Sequence, residues 1–183
     1  MNKTKREVVI YCATSLDGYI ARQDGDITWL SAVEQEGEDY GYAAFMEKVD
    51  TVIIGRKTYD KVLEMGMEEP YPGKKLYVLS RENQKEHERV EYYQGSIPDL
   101  IRSIRSKEGL RIYCDGGAEA IRQFVRNDLI DRYIISIIPV LLGDGIRLFQ
   151  QGLPTLGLRQ VRSQSYASGL VQLEYERVRD ENA

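Results

Sequence analysis

The stretch RIYCDGGAEAI, residues 111–121, carries an apolar run of β-forming residues into two glycines and then into residues that favour helix. A strand that passes at once into a helix is the repeating unit of a parallel α/β sheet. In open sheets of that kind ligands bind beyond the carboxyl ends of the strands, where the first turn of each helix points unpaired N–H groups and a partial positive charge outward. Without Cβ atoms, Gly116 and Gly117 let the backbone adopt uncommon dihedrals and approach a phosphate closely. The same pair also suits a tight turn that holds no ligand, so its meaning depends on the rest of the chain.

Outward from that junction, Val8 to Ala13, DTVIIG (50–55), KLYVLS (75–80) and LRIYCD (110–115) share the short, apolar, partly β-branched pattern of buried strands. Tyr42, Phe45, Met46 and Val49 fall at the spacing of one helix face, as do Ile97, Leu100, Ile101 and Ile104. Ser96 offers the second helix an N-cap, Pro98 a first-turn residue and Asp99 the far member of a weak capping box. A third helix starts near Ala118 and buries Ile121, Phe124, Val125 and Leu129. The last third changes character: RYIISIIPVLL (132–142) reads as one long strand ended by the turn GDG (143–145). Residues 158–178 read as two alternating strands joined around ASG, with Val171, Leu173 and Tyr175 on one face. The expectation is a single α/β domain over 1–183, with a central mixed, mainly parallel sheet, helices on both faces and an antiparallel C-terminal hairpin.

Bulk properties narrow the function. With 25 basic and 29 acidic residues the formal net charge is -4, which gives no global support for a nucleic-acid partner or an anionic membrane surface. The apolar run behind MNKTKR breaks at Thr14 and Ser15, too soon for a signal peptide, and Tyr133 to Leu142 falls short of the roughly 20 residues that span a bilayer. A cytoplasmic protein is expected. Cys12 and Cys114, the only cysteines, lie in strand-like stretches without C-x-x-C spacing and read as small buried apolar residues, not as zinc ligands or a disulfide. His87, the only histidine, sits in the polar run ENQKEHER (82–89) and reads as a solvated loop residue, which nearly excludes histidine triads and histidine metal clusters. Chemistry is left to carboxylates, hydroxyls, backbone groups or a borrowed cofactor.

The glycine pair has company. IIGRKTY (53–59) is a second strand entering a helix through a glycine, with Arg56, Lys57 and Thr58 in the first turn. Cations are disfavoured at a helix N-terminus unless an anion lies in front of them. A third strand end, VLSR (78–81), presents Ser80 and Arg81, again donors suited to phosphate. Three donor-rich strand ends in an acidic protein describe a dinucleotide cradle. The G-x-G-x-x-G fingerprint of an NAD site is absent after the first strand, which leads instead into TSLDGYIA (14–21). Arg56, Lys57, Ser80 and Arg81 suit the extra phosphate of NADPH; at roughly 1.5 to 3 kcal/mol per charge-assisted hydrogen bond, one or two favour NADPH over NADH by about tenfold or more.

SLDGYIA, DITWL (26–30), DTVIIGRKTYD, GKKLYVLSR, CDGGAEAIRQF and IIPVLLGDGIRLF, in this order, resemble the dihydrofolate reductase superfamily, and most closely the reductase domain of the bifunctional riboflavin-biosynthesis deaminase-reductase. The resemblance covers nearly the whole chain and implies a dihydrofolate reductase-like three-layer fold and an NADPH-dependent reductase. It places Ala13 and Ile20 at the nicotinamide end, with Asp17 and Gly18 in the loop beside it. Gly55, Arg56, Lys57, Thr58, Ser80 and Arg81 fall on the adenosine phosphates, and Gly116, Gly117, Ala118 and Glu119 on the pyrophosphate. It also implies a cis peptide at the paired glycines, a wall of the substrate pocket at Trp29, and substrate contact from Asp17 and Asp115.

For dihydrofolate the superfamily needs a buried acid on the helix after the tryptophan; that position matches Asp39, with Glu38 second and Glu34 reached by a different count. The threonine supporting the acid corresponds to Ile135, and the arginine gripping the folate tail to Lys74, a poorer bidentate partner. The resemblance therefore points to hydride delivery to a pyrimidine or pteridine-type heterocycle, similar to 5-amino-6-(5-phosphoribosylamino)uracil reductase. Dihydrofolate reduction and a non-catalytic nucleotide-binding module stand as alternatives. A small-molecule substrate and a homodimer through the C-terminal strands are the partners implied.

Overall fold

The computed structural model describes residues 5–82 and 89–179; the expectation for His87 lies outside them. The chain runs β1 (Val8–Ser15), β2 (Tyr19–Ala21), a 3-10 helix (Thr28–Val33), α1 (Tyr42–Met46), β3 (Val49–Gly55), α2 (Arg56–Glu64), β4 (Lys75–Leu79), β5 (Val90–Tyr93), α3 (Ile97–Arg105), β6 (Arg111–Gly116), α4 (Ala118–Arg126), β7 (Arg132–Ile138), β8 (Ile146–Arg147), β9 (Leu158–Ser165) and β10 (Val171–Arg177). Eight strands form one sheet in the order β5-β4-β3-β6-β1-β7-β10-β9, and β2 pairs with β8 apart from it. The six strands from β5 to β7 are parallel, and β10 and β9 add the antiparallel hairpin.

Period-two alternation sends the strands' apolar residues to both faces. Ile10, Ile53, Ile112 and Cys114 pack under Ile97, Leu100, Ile101, Ile121 and Phe124 of α3 and α4. Val9, Val52, Ile54, Val78 and Tyr113 meet Phe45 of α1 and Tyr59 of α2 on the other side. Each fully buried aliphatic chain contributes about 1.5 to 3 kcal/mol, which is why both faces must be covered. The three-layer expectation therefore holds. Cys114 is buried and Cys12 half-buried, and both thiols are free; burial pushes the Cys12 thiol up to about 12, so it is an unreactive filler.

Local readings fail where longer-range demands win. Val49 does not extend α1; it opens β3 opposite Arg111, and the helix stops after five residues because the sheet claims the chain. β7 stops at Ile138, short of residue 142, because Pro139 has no N–H for the ladder. Ser96 precedes α3 but makes no side-chain cap bond, and Asp99 pairs with Arg102 at 2.6 Å in place of closing a capping box. Leu129 lies past the end of α4, its N–H returning to the Phe124 carbonyl at 3.0 Å. β5, the 3-10 helix and the β2/β8 pair, all short, escaped the sequence reading.

Candidate active site

β1 sits between β6 and β7, so the chain builds outward to β5 on one side, returns as β6, then crosses β1 to β7. That reversal leaves a crevice at the carboxyl ends of β1, β3 and β6, the place where open α/β sheets take ligands. Gly55 and Gly116 close β3 and β6 there, and the 116–117 peptide is cis, as the resemblance implies. A Cβ on Gly117 would lie 2.5 Å from the Thr58 hydroxyl oxygen, and one on Gly55 would lie 3.4 Å from the Gly116 carbonyl and 3.6 Å from the Ala120 methyl. The first turns of α2 and α4 thus approach closely, with room for a side chain at Gly55 but none at Gly117 unless Thr58 moves. The first helical bond of α4 is Ile121 N–H to Gly117 carbonyl at 3.0 Å, which leaves the N–H groups of Ala118, Glu119 and Ala120 without helical acceptors.

Side chains at this rim divide into engaged and exposed. The Arg56 Nε donates to both Asp60 carboxylate oxygens, at 2.7 and 2.9 Å, and its guanidinium lies 5.9 Å from the Tyr92 ring centre. The Ser80 hydroxyl closes a local turn, donating to the Glu82 carbonyl at 3.0 Å and accepting from its N–H at 3.1 Å. Glu119 faces Arg122 and Gln123, each at 3.3 Å, so its backbone N–H is what it offers an anion. The Arg56, Ser80 and Glu119 side chains are thus engaged with neighbouring residues, whereas Lys57 and Arg81 are exposed. The fit to a dinucleotide phosphate rests on backbone amides, Thr58 and the glycine clearance.

Asp17 joins two loops at the rim of the site. Its carboxylate accepts from the Ser15 hydroxyl at 2.6 Å and from the N–H groups of Leu142 and Gly143 at 3.2 and 2.7 Å. These bonds, the Ser15 one foremost, hold its carboxyl down at about 2 and tie the loop after β1 to the loop after β7. Asp39 is exposed and accepts from the N–H groups of Gly41 and Ala43, both at 2.8 Å. Those bonds lower its carboxyl below the usual range, so it caps α1 and is no buried proton donor. Glu38 and Glu34 are exposed as well. Ile135 packs on the α3/α4 side of the sheet, and its neighbour Ser136 is a polar β7 residue on the other side, accepting from Gln172 Nε2 at 3.1 Å.

The half-buried acid is Asp115. Burial raises its carboxyl above the ordinary range, and hydrogen bonds from the Tyr113 and Tyr71 hydroxyls counter this in part. The Tyr113 hydroxyl also donates to the Tyr11 carbonyl at 3.0 Å, and one proton cannot serve both acceptors at once. Around it stand rings: Tyr11 against Phe45 at 4.8 Å and Tyr42 at 5.5 Å, and Tyr113 against Phe45 at 5.1 Å and Tyr71 at 6.2 Å. Alternation gave one signal, since Tyr11 with Ala13 and Tyr113 with Asp115 share strand faces. Tyr71 and Tyr40 hold φ of 62° and 58°, a left-handed conformation that bulky residues adopt only when their surroundings impose it.

Trp29 completes this side. It packs with Val33, Ile138, Leu170 and Ala13, and its buried indole N–H has no hydrogen-bond partner among the described residues. Ile20 packs on the opposite face, against the α3/α4 core. Lys74 donates to the Met46 and Val49 carbonyls at 2.9 and 2.7 Å, which fastens the loop before β4 and withdraws its charge from any substrate tail. Among the described residues, no helix is long and apolar enough to cross a membrane.

Comparison with known proteins agrees with this geometry. The uncharacterized protein YwjB of Bacillus subtilis (strain 168) is 38% identical over 94% of this chain and 99% of its own. YyaP of the same organism, also uncharacterized, is 28% identical over 95% and 96%. A Shewanella sp. PV-4 protein named as a riboflavin biosynthesis candidate superposes with a TM-score of 0.87 at 34% identity, covering 94% of this chain and 99% of that one. A pyrimidine reductase-like protein of Corynebacterium diphtheriae shares the fold, with a TM-score of 0.69 at 15% identity over 96% and 93%. The family model described as the RibD C-terminal domain matches residues 6–172, and the chain belongs to that family.

Proposed function

We propose that this chain is a reductase that uses NADPH to reduce a planar nitrogen heterocycle of the pyrimidine or pteridine kind. The observation that carries this reading is the meeting of Gly55, Thr58, Gly117 and Ala120 at two strand ends, next to Asp115 on β6. One side of that junction suits a pyrophosphate; the other presents rings and an acid. NADPH supplies the hydride when bound, so the chain's own work is orientation and proton supply. The amides of Ala118 to Ala120 and the Thr58 hydroxyl hold the phosphates, with Lys57 and Arg81 near the strand ends for a further phosphate. The Asp17 latch fixes the loop beside the reacting ring. Asp115, whose raised pKa keeps a proton to higher pH than a surface aspartate, donates it to a ring nitrogen or carbonyl oxygen. The Trp29 indole N–H offers a further donor to the bound ring.

Trp29 is the sole tryptophan, so its fluorescence reports on this site alone. Titration with NADPH and NADH should quench it, NADPH at lower concentration, and pterin, pyrimidine or quinonoid acceptors should then drive NADPH oxidation at 340 nm. Protein that binds neither nucleotide, or that binds NADPH and oxidises it with no acceptor of these classes, contradicts the proposal.

A further inference from the structure

We propose that residues 34–41 form a strap that closes over the Trp29 side of the site, and that Gln172 of the C-terminal hairpin is the positioning residue that clasps it shut. The inference rests on the reading of the Trp29 and Tyr11 side as the place of the substrate ring, and it names what governs entry there. Residues 34–39 and Gly41 are exposed, and the half-buried member of the segment is Tyr40. Several of the strap's hydrogen bonds stay within it or run to the next element in the chain. Glu38 N–H donates to the Gln35 carbonyl at 3.1 Å, Tyr40 N–H to the Glu38 carboxylate at 2.8 Å, and the Ala43 N–H of α1 to the Asp39 carboxylate at 2.8 Å. Gly37 and Gly41, at φ of 78° and 87°, bracket Tyr40, and a Cβ built on either meets nothing within 4 Å. The segment can thus swing as one piece about positions that no neighbour crowds.

Among the described residues, the hydrogen bonds that tie the strap to distant elements converge on Tyr40. Its carbonyl accepts from the Tyr11 hydroxyl at 2.7 Å and from Gln172 Nε2 at 3.1 Å. Its hydroxyl meets the Val33 carbonyl and, at 3.0 Å, the Ser168 hydroxyl, and its ring stands edge-on to Tyr166 at 4.8 Å. Gln172 is the hub of this clasp, because the same Nε2 also lies 2.9 Å from the Tyr11 hydroxyl and 3.1 Å from the Ser136 hydroxyl. Two amide protons therefore serve three acceptors, on β1, β7 and the strap, and one proton is shared. An ionised carboxylate of the same shape has no proton to give any of them. Tyr40 packs against the cluster of Trp29, Val33, Ile138 and Leu170, so its release uncovers the indole. The hairpin at the end of the sheet thus reaches the site through one side-chain amide.

The test measures access to Trp29 by acrylamide quenching, together with amide hydrogen exchange, in the unaltered protein, Gln172→Glu and Gln172→Met. Both variants keep the length of the side chain and remove its donors, and methionine brings no charge. Each should raise the quenching constant and the exchange of the Glu38, Gly41 and Tyr42 amides by roughly threefold to tenfold, the population shift of one lost neutral hydrogen bond, while the amides of the β1/β7 ladder keep their rates. Tyr40→Phe, which loses the hydroxyl contacts and keeps the carbonyl clasp, should give a smaller rise at the same amides. Unchanged quenching and exchange in the methionine variant overturns the proposal, as does a rise shared equally by the β1/β7 amides, which marks a residue that only stabilises the sheet. Calorimetric titration with NADPH is read separately: a strap that opens in a protein that binds no NADPH overturns the reductase reading and leaves the clasp standing.

Discussion

The glycine rim and the aromatic cluster lie on either side of the same strand end, and they are built in opposite ways. The rim is backbone: lined by Gly55 and Gly117 and supplied with amides by the first turn of α4. The cluster is side chain: five rings and one acid brought from β1, α1, β6 and the loop before β4. The contrast teaches that one junction can set helix-terminal backbone dipoles beside aromatic side chains and a carboxyl, two surfaces that favour different ligand chemistry.

The largest effect should come from abolishing the rim. Gly117→Val forces a branched side chain onto Thr58 Oγ1, already 2.5 Å from a bare Cβ, and should weaken NADPH binding by about a hundredfold or more in calorimetric titration. Tyrosine-ring shifts with uridine should persist in that variant; their joint loss would break the separation of the two regions. Next comes Asp115→Asn, expected to lower turnover by roughly tenfold to a hundredfold, the range of a lost general acid. Wild-type turnover should fall as pH rises through the raised pKa of Asp115, a limb that the asparagine variant lacks. Stability follows the same sign: a raised carboxyl pKa favours the fold while protonated, so wild type should lose melting temperature relative to Asp115→Asn as pH climbs out of the ordinary aspartate range.

Smaller changes sharpen the comparison. Asp17→Asn loosens the latch to Leu142 and Gly143 and should raise the KM for NADPH by roughly threefold, leaving kcat within about twofold. With its carboxyl held at about 2, the latch's contribution is present above the ordinary aspartate range and should vanish as pH falls through that value, where the melting curves of wild type and variant converge. The smallest effect is expected of Asp39→Asn: asparagine caps a helix about as well as aspartate, so kcat should stay within about twofold. A large loss there would restore Asp39 as a proton donor.

What could be read from the chain follows the same division. The strand–glycine–helix junctions at 55–58 and 116–119 are local, and period and composition suffice to see them. Val49 and Pro139 show where locality ends, one taken by the sheet and the other refused by it. Arg56 and Ser80 were legible as donors, but their engagement with Asp60 and Glu82 depends on rotamers that sequence does not state. The acid was sought on a helix, at Asp39, because a resemblance led there; the acid whose carboxyl burial raises stands on β6 instead, at Asp115, and it carries the proposed role. Tyr71, sixty or so chain positions from Tyr11, arrives from an irregular loop at φ 62°, and no periodicity announces it.

The most direct test is an amide and methyl NMR titration with NADPH. The shifts should concentrate on the amides of Gly55, Gly117, Ala118 and Glu119 and the methyls of Thr58 and Ala120. Shifts gathered instead at the hollow formed by Pro98, Ile101, Arg102, Arg105, Ser106 and Leu129, or no shifts at saturating nucleotide, would contradict it.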